Sequence, residues 1–393
     1  MKKLSFITET FTESVIREMT RICDAIGGIN LSQGFPDFDT PEELKALAIE
    51  AIRSGRNQYP VTFGEPILRG RIAEKMHRFN RVECDPATDI TVCCGATEAM
   101  LSTLKAIINP GDEVIIFEPF YENYGPDAIL SGAKPRYVPL TPPDWSYDQE
   151  QLNSAFNNHT KAIILNTPNN PTGKVFSREE LEGIALLCLK WDVFAVTDEI
   201  YEHILYDGSE HISLASIDGM SDRTITINSA SKTYSATGWR VGWAVAVRPI
   251  TERIRKVHDF VTVGAPTPLQ HAAAEALRFP DEYYRSLADR YQEARNLFLA
   301  GLTGCGFQPY EPKGSYYVMA DTKAARERLG AGNDVDFTRL LVNKTGVAAV
   351  PGSAFYSDPA VGLNQARFAF CKKPETLRKA LQLLKDAALL GND

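Results

Sequence analysis

The feature that most constrains the fold is an alternation of short apolar runs with helical patterns, which begins near residue 40. Runs such as "KAIILN" and "FAVTD" have the length and the β-branched content of buried strands. Alternation of this kind is typical of an α/β fold in which helices cover a mostly parallel sheet. The sequence therefore predicts a large α/β domain of that architecture.

A second pattern begins near residue 276, where the chain becomes helical and charged and then forms shorter strands. We interpret residues 41–275 as the large domain and residues 276–393 as a smaller α+β domain. Residues 1–40 are predicted to form an N-terminal arm that packs with the small domain or with a second copy of the chain. A length of 393 residues agrees with two lobes, since one core seldom supports so long a chain.

Charge and composition exclude several classes of protein. The net charge of −8 and the pI near 5.5 argue against a nucleic-acid or membrane partner. The N-terminus lacks the apolar core of a secretory signal, and the seven cysteines form no C-x-x-C pair, so we expect a cytoplasmic protein with reduced thiols. The six histidines are scattered, and no metal site is predicted.

Polar and aromatic residues accumulate just after the predicted strands. Open α/β sheets bind ligands outside the carboxyl ends of their strands, so we expect these residues to surround one site. They are Gly95, Ala96 and Thr97, Tyr121, Asn170, Asp198 and Tyr201, and Ser229 with Lys232 and the nearby Arg240.

One interpretation of Lys232 is a serine hydrolase. Ser229-x-x-Lys232 and the later Lys344-Thr345-Gly346 match two of the three motifs of such enzymes. The motif that should lie between them is absent, and the hydrolase is therefore the remote alternative.

The second interpretation is an aldehyde cofactor such as pyridoxal phosphate. That cofactor needs a lysine amine, an anion site for its phosphate, an acid beside its ring nitrogen and a ring on which to stack. Candidates for each part follow the predicted strands. Lys232 offers the amine, and the helix start at Gly95–Thr97 with Ser229 and Arg240 offers a site for the phosphate. Asp198 could bind the ring nitrogen, Tyr201 and Asn170 could donate to the phenolate oxygen of the ring, and Tyr121 could stack on the ring.

Three motifs carry a family resemblance. "NNPTG" (169–173), "TDEIY" (197–201) and "SASKTYSATGWRVGW" (229–243) resemble the fold type I, class I/II aminotransferases that use pyridoxal phosphate, and the similarity runs almost end to end. "SQGFPDF" resembles the branch that contains kynurenine, glutamine and methionine aminotransferases.

The resemblance implies a role for each matching residue. Lys232 would be the Schiff-base lysine, Asp198 the partner of the ring nitrogen, Asn170 and Tyr201 the phenolate partners, Tyr121 the stacking ring, and Ala96, Thr97, Ser229 and Arg240 the phosphate ligands. Tyr59 would reach the phosphate of the neighbouring subunit, which implies a homodimer. Arg367 would bind the α-carboxylate of the substrate, with Gly34 offering backbone.

The same resemblance defines the expected reaction, which is ping-pong transamination between an L-α-amino acid and a 2-oxo acid. Thr97 occupies the place of a lysine that often contacts a second carboxylate in bacterial aspartate aminotransferases, and the absence of that lysine weakens an aspartate assignment. Kynurenine-type enzymes carry a Phe-His pair near the position of Val263-Gly264 and an aromatic residue near that of Ile16, so an assignment as an aromatic specialist is weakened too. β-Elimination from cysteine conjugates and 1-aminocyclopropane-1-carboxylate synthesis remain alternatives, whereas about 40 residues before the large lobe leave no room for the DNA-binding domain of a regulator.

Overall fold

The computed structural model describes residues 2–11 and 13–387, so the last six residues of the predicted small domain lie outside the described residues, as do Met1 and Thr12 of the predicted arm. The strands are β1 (Ile29–Asn30), β2 (Ile90–Cys93), β3 (Glu113–Glu118), β4 (Lys134–Thr141), β5 (Ser146–Tyr147), β6 (Thr160–Asn166), β7 (Phe194–Asp198), β8 (Thr224–Ser229), β9 (Gly242–Val245), β10 (Gln308–Pro309), β11 (Tyr317–Asp321), β12 (Val347–Ala348), β13 (Val350–Pro351) and β14 (Gln365–Ala369). The α-helices are α1 (Val15–Ala25), α2 (Glu42–Arg53), α3 (Pro66–Lys75), α4 (Ala96–Ile107), α5 (Tyr124–Leu130), α6 (Gln149–Ala155), α7 (Arg178–Trp191), α8 (Ala230–Thr233), α9 (Arg248–Val261), α10 (Thr267–Ala276), α11 (Asp281–Gly304), α12 (Lys323–Arg328), α13 (Asp334–Thr345) and α14 (Pro374–Asp386).

The large sheet has the strand order β2-β9-β8-β7-β6-β3-β4-β5. Neighbours from β8 to β4 run parallel, whereas β9 runs antiparallel to both β2 and β8. Two antiparallel pairings in succession leave β2 pointing the same way as β8. The carboxyl end of β2 therefore lies at the same edge of the sheet as those of β3, β6, β7 and β8, and the predicted mostly parallel sheet is confirmed.

Helices cover both faces of this sheet, and the alternation of side chains along β3 shows why. Val114 and Ile116 pack into the apolar cluster that contains Met100 of α4. Ile115 and Phe117 point the other way, into the cluster that contains Leu181 of α7. A strand that is buried on both faces reads as a continuous apolar run in the sequence, which is the pattern of "VIIF".

A smaller antiparallel sheet has the order β10-β11-β14-β13. The segment "GVAAVPG" contributes two strands that pair in different sheets, because β13 pairs with β14 while β12 pairs in parallel with β1. Ile29 lies opposite Val347 in that two-stranded pair. The segment after α1 is thereby fixed to the C-terminal part of the chain.

Helix ends follow local chemistry. Ser177 caps α7, and Glu180 completes a capping box by accepting a hydrogen bond from the Ser177 backbone N–H at 2.8 Å. Gly346 ends α13 in the left-handed region with φ of 71°, where glycine is favoured. No helix of the described residues is both long and apolar enough to cross a lipid bilayer.

Candidate active site

A cavity of about 500 Å³ opens at the carboxyl ends of the parallel strands. Every predicted site residue except Gly95 and Tyr59 lines it, and the set is Gly34, Ala96, Thr97, Tyr121, Asn170, Asp198, Tyr201, Ser229, Lys232, Arg240 and Arg367. Residues of α1 and α5 complete the wall.

Lys232 lies in α8, the short helix that follows β8. Its Nζ donates a hydrogen bond to the carbonyl oxygen of Gly34 at 3.2 Å. Removal from water lowers the pKa of Lys232 to about 8, and the positive charges of Arg240 and Arg367 act in the same direction. With this pKa roughly a tenth of the amine is uncharged at pH 7, and a nucleophile or a base requires that uncharged form.

Asp198 ends β7 and is buried. Tyr124 Oη donates a hydrogen bond to its Oδ2 at 2.7 Å, while Oδ1 receives only a long contact of 3.4 Å from the Ile200 amide. Burial raises the pKa of Asp198 to about 6, against the hydrogen bond from Tyr124, which lowers it. The carboxylate is mostly ionised at pH 7, with one oxygen left for a further donor.

Asn166 fixes this region from the end of β6. Its amide donates to the Asp198 carbonyl oxygen at 2.9 Å, and its side-chain oxygen accepts from the Asn170 backbone N–H at 2.6 Å. Asn166 thus ties the loop that carries Asn170 to the strand that ends in Asp198.

An anion cradle surrounds the start of α4. Gly95 precedes the helix with φ of 83°, and a Cβ at that position would collide with the guanidinium of Arg240. Arg240 itself is in the left-handed region, and its Nη1 donates to the Thr237 carbonyl oxygen at 3.1 Å. Ser229 accepts from the Ser231 amide at 3.3 Å, which directs the hydroxyl-bearing turn toward the cavity.

Arg367 lies in the middle of β14 and is fully buried. Its Nη1 donates to Asn170 Oδ1 at 2.9 Å, and its Nη2 donates to the Ser32 carbonyl oxygen. The rings of Tyr317 and Phe355 lie 4.3 Å and 4.9 Å from the guanidinium carbon. Among the described residues no carboxylate forms an ion pair with it, and its Nε has no hydrogen-bond partner.

The remaining predicted residues occupy different environments. Tyr201 is buried, and its hydroxyl donates to the Tyr317 hydroxyl at 3.4 Å. Tyr121 is half-buried, with its ring edge-on to that of Tyr124 at 5.7 Å. Tyr59 is 85% exposed and lies outside the cavity.

Two groups of buried side chains within the described residues have the composition of metal ligands, although the sequence predicts no metal. They are Cys93, Glu98 and His258, and Glu199, Glu202 and His211. Protein donors already occupy the carboxylates: His258 Nδ1 lies 3.1 Å from both oxygens of Glu98, and Lys75 forms an ion pair with Glu202. In both groups the carboxylates are therefore already paired with donors of the protein.

Sequence reasoning missed several residues of the cavity. Tyr124 closely follows the predicted Tyr121, and Asn166 ends the predicted strand "KAIILN", so the sequence contained a signal for both residues. Arg17 and Asp127 have none, because their side chains reach the cavity only through the packing of α1 and α5. Burial raises the pKa of Asp127 to about 7, and its Oδ2 has no hydrogen-bond partner within the described chain.

Comparisons with known proteins agree with this geometry. The family model described as aminotransferase class I and II matches residues 26–384. A probable N-succinyldiaminopimelate aminotransferase, DapC, of Mycobacterium tuberculosis is 38% identical over 385 residues, which are 95% of this chain and 96% of that protein. Human kynurenine–oxoglutarate transaminase 1 is 37% identical and covers 92% of each chain. The solved structure of YbdL from Escherichia coli, described as having a methionine aminotransferase function, superposes with a TM-score of 0.92 at 34% identity, over 98% of this chain and 100% of that one.

The fold and the site therefore define a transaminase that depends on pyridoxal phosphate. The chain belongs to the class I and II aminotransferases, and it transfers amino groups between amino acids and 2-oxo acids. The predicted family, fold class, activity and cofactor are confirmed. The serine-hydrolase alternative has no support, since Ser229 accepts from the Ser231 amide while Lys232 donates to Gly34. β-Elimination as a competing reaction stays a prediction.

The residues present fit the cofactor. One oxygen of the buried Asp198 carboxylate is available for a donor, and a half-buried lysine with a lowered pKa lies in the same cavity. The turn at Gly95 has no side chain where Arg240 approaches it, which leaves the start of α4 open to an anion.

Replacing Asp127 by Asn tests whether the ionised, buried carboxylate of Asp127 lowers the stability of the folded protein. The folded protein retains the proton on Asp127 more tightly than the unfolded chain does, so the free energy of unfolding should fall as pH rises from about 4 to about 7. We expect Asp127→Asn to match wild type near pH 4 and to be more stable at pH 8, by at most about 4 kcal/mol.

Urea denaturation of both proteins at the two pH values measures this difference. The exposed Asp222→Asn variant is the control and should show no such pH dependence. An Asp127→Asn protein that is less stable than wild type by the same amount at both pH values would contradict the prediction.

Proposed function

We propose that Lys232, Asp198 and Arg367 perform the transamination, with Lys232 holding the cofactor as a Schiff base. The observation that carries the proposal is the convergence of three side chains in one cavity: an amine with a lowered pKa, a buried carboxylate and a fully buried guanidinium. They come from α8, β7 and β14, which are far apart in the sequence.

Lys232 Nζ is the atom that takes up and returns the Cα proton. A pKa of about 8 lets the amine exist in both protonation states near neutral pH, as a group that acts first as base and then as acid requires. Gly34 directs the amine through its carbonyl oxygen, which also accepts from Tyr316 Oη at 2.9 Å.

Pyridoxal phosphate supplies, when bound, a ring that takes up the electron pair left at Cα. Asp198 Oδ1 would keep the proton on the ring nitrogen, while Tyr124 holds Oδ2 and so orients the carboxylate. Asn170 and Tyr201 would donate toward the phenolate oxygen, and Tyr121 would stack on the ring.

The start of α4 would hold the phosphate. Ala96 and Thr97 offer backbone N–H groups at the positive end of the helix dipole, Ser229 offers its hydroxyl, and Arg240 offers a permanent charge. Arg367, with Asn170 and the Gly34 backbone, binds the α-carboxylate that all amino-acid substrates share.

A homodimer completes the proposal. Exposed apolar side chains form a patch on two neighbouring segments: Tyr59, Val61, Phe260, Val261 and Val263. The segments are joined where His258 Nε2 lies 2.7 Å from the Thr62 carbonyl oxygen. This patch fits a second copy of the chain, whose phosphate Tyr59 would reach. Sedimentation at micromolar concentration should give a dimer, and a monomer would contradict this.

The amino acceptor is 2-oxoglutarate in our proposal. A name among the relatives, kynurenine–oxoglutarate transaminase, supports it. We also infer a cytoplasmic location, because the seven cysteines are unpaired. Cell fractionation tests the location, and recovery outside the cytoplasm would refute it.

Replacing Lys232 by Ala tests the covalent attachment. Borohydride reduction of the wild-type holoenzyme should fix the cofactor on the peptide that contains Lys232, whereas Lys232→Ala should yield no fixed cofactor. The exchange of the Cα proton of a bound amino acid with solvent should slow by about 10²–10⁴-fold, because the base is gone.

The matched control is Lys372→Ala, which removes a buried lysine that lies outside the cavity and donates to the Phe35 carbonyl oxygen. That variant should still be labelled at Lys232. Reductive labelling of another lysine in Lys232→Ala, with proton exchange unchanged, would refute the assignment.

A further inference from the structure

Arg17 is a cation in the cavity wall for which the reaction described so far has no use. It is the third residue of α1, whose apolar face, formed by Ile16, Met19 and Cys23, is buried. Arg17 is exposed to solvent, yet it lines the cavity together with Gln33. A positive charge in the first turn of a helix opposes the helix dipole, so local helix stability does not favour an arginine there.

The carboxylates around Arg17 are bonded to other groups. Glu13 accepts two hydrogen bonds from Arg21, at 2.7 Å and 3.2 Å. Glu18 forms an ion pair with Arg339, and Glu122 accepts from the Ser14 hydroxyl at 2.5 Å. Within the part of the chain that the structure describes, the guanidinium of Arg17 forms neither an ion pair nor a hydrogen bond.

The other cations of the cavity wall are already bound to protein groups. Lys232 donates to Gly34, Arg240 to Thr237, and Arg367 to Asn170 and Ser32. Thr97 adds no charge. Arg17 therefore remains as the cation of the wall that is free to meet a second anionic group on a substrate.

We propose that Arg17 binds the distal carboxylate of dicarboxylic substrates, such as 2-oxoglutarate and L-glutamate, while Arg367 binds the α-carboxylate. The inference rests on the proposed role of Arg367. Gln33 supports it, because its side-chain oxygen accepts from Thr20 at 3.2 Å and its amide N–H groups remain for a carboxylate.

The test compares acceptors in the holoenzyme with Arg17→Gln. We expect kcat/KM for 2-oxoglutarate to fall by about tenfold through KM, since an exposed charge-assisted hydrogen bond lies at the weak end of its range. The value for pyruvate, which has no second carboxylate, should not change. Arg17→Lys keeps the charge and should recover part of the loss.

Binding gives an independent readout. Calorimetric titration with glutarate and with propionate should show weaker binding of glutarate alone in Arg17→Gln. The matched control is Arg53→Gln in the last turn of α2, which removes an exposed arginine outside the cavity and should leave both acceptors unaffected.

Three results would overturn the inference: an equal loss for pyruvate and 2-oxoglutarate, no loss for either, or the same selective loss in Arg53→Gln. If Arg367→Lys uses pyruvate as well as wild type does, Arg367 does not bind the α-carboxylate. The proposed substrate site is then wrong as a whole, and not only the role of Arg17.

Discussion

The structure depends on one fully buried guanidinium, that of Arg367, which forms no ion pair with a carboxylate of the described residues. Arg367 is fully buried, and burial of an unpaired charge costs several kcal/mol unless hydrogen bonds and neighbouring groups compensate it. The Ser32 carbonyl, the Asn170 side chain and two aromatic faces provide that compensation only in part. A carboxylate on a substrate would complete it. The same contacts connect the segment after β1, the loop after β6 and the small sheet.

The cavity shifts the pKa values of the two titratable groups on which the proposed reaction depends, Lys232 and Asp198. Burial lowers the pKa of Lys232 to about 8, with smaller contributions from the charges of Arg240 and Arg367, and burial raises the pKa of Asp198 to about 6. At pH 7 the carboxylate is therefore mostly ionised and the amine is close to its titration range. One cavity thus holds a stable anion for a ring nitrogen and a base that can exchange a proton.

The sequence was sufficient to predict the part of the site that the parallel sheet positions. Asp198 ends β7 and Lys232 follows the neighbouring β8, and a sheet that is parallel at those strands must bring their carboxyl ends together. The sequence did not reveal that Arg367 is buried, because a five-residue strand in a small antiparallel sheet has no pattern that separates its faces. Arg17 and Asp127 were also missed, since the orientation of α1 and α5 depends on packing with distant segments and not on their own periodicity.

The most direct measurement of the account is kcat/KM of Arg367→Lys for alanine, methionine, phenylalanine and aspartate. Lysine cannot reproduce the two charge-assisted bonds of the guanidinium, so the account predicts a fall of about 10²–10⁴-fold for all four substrates with cofactor absorbance unchanged. Arg295→Lys is the control, because it alters another buried arginine that pairs with Asp207 outside the cavity. A loss confined to one substrate, or loss of bound cofactor in place of slower turnover, would contradict the account.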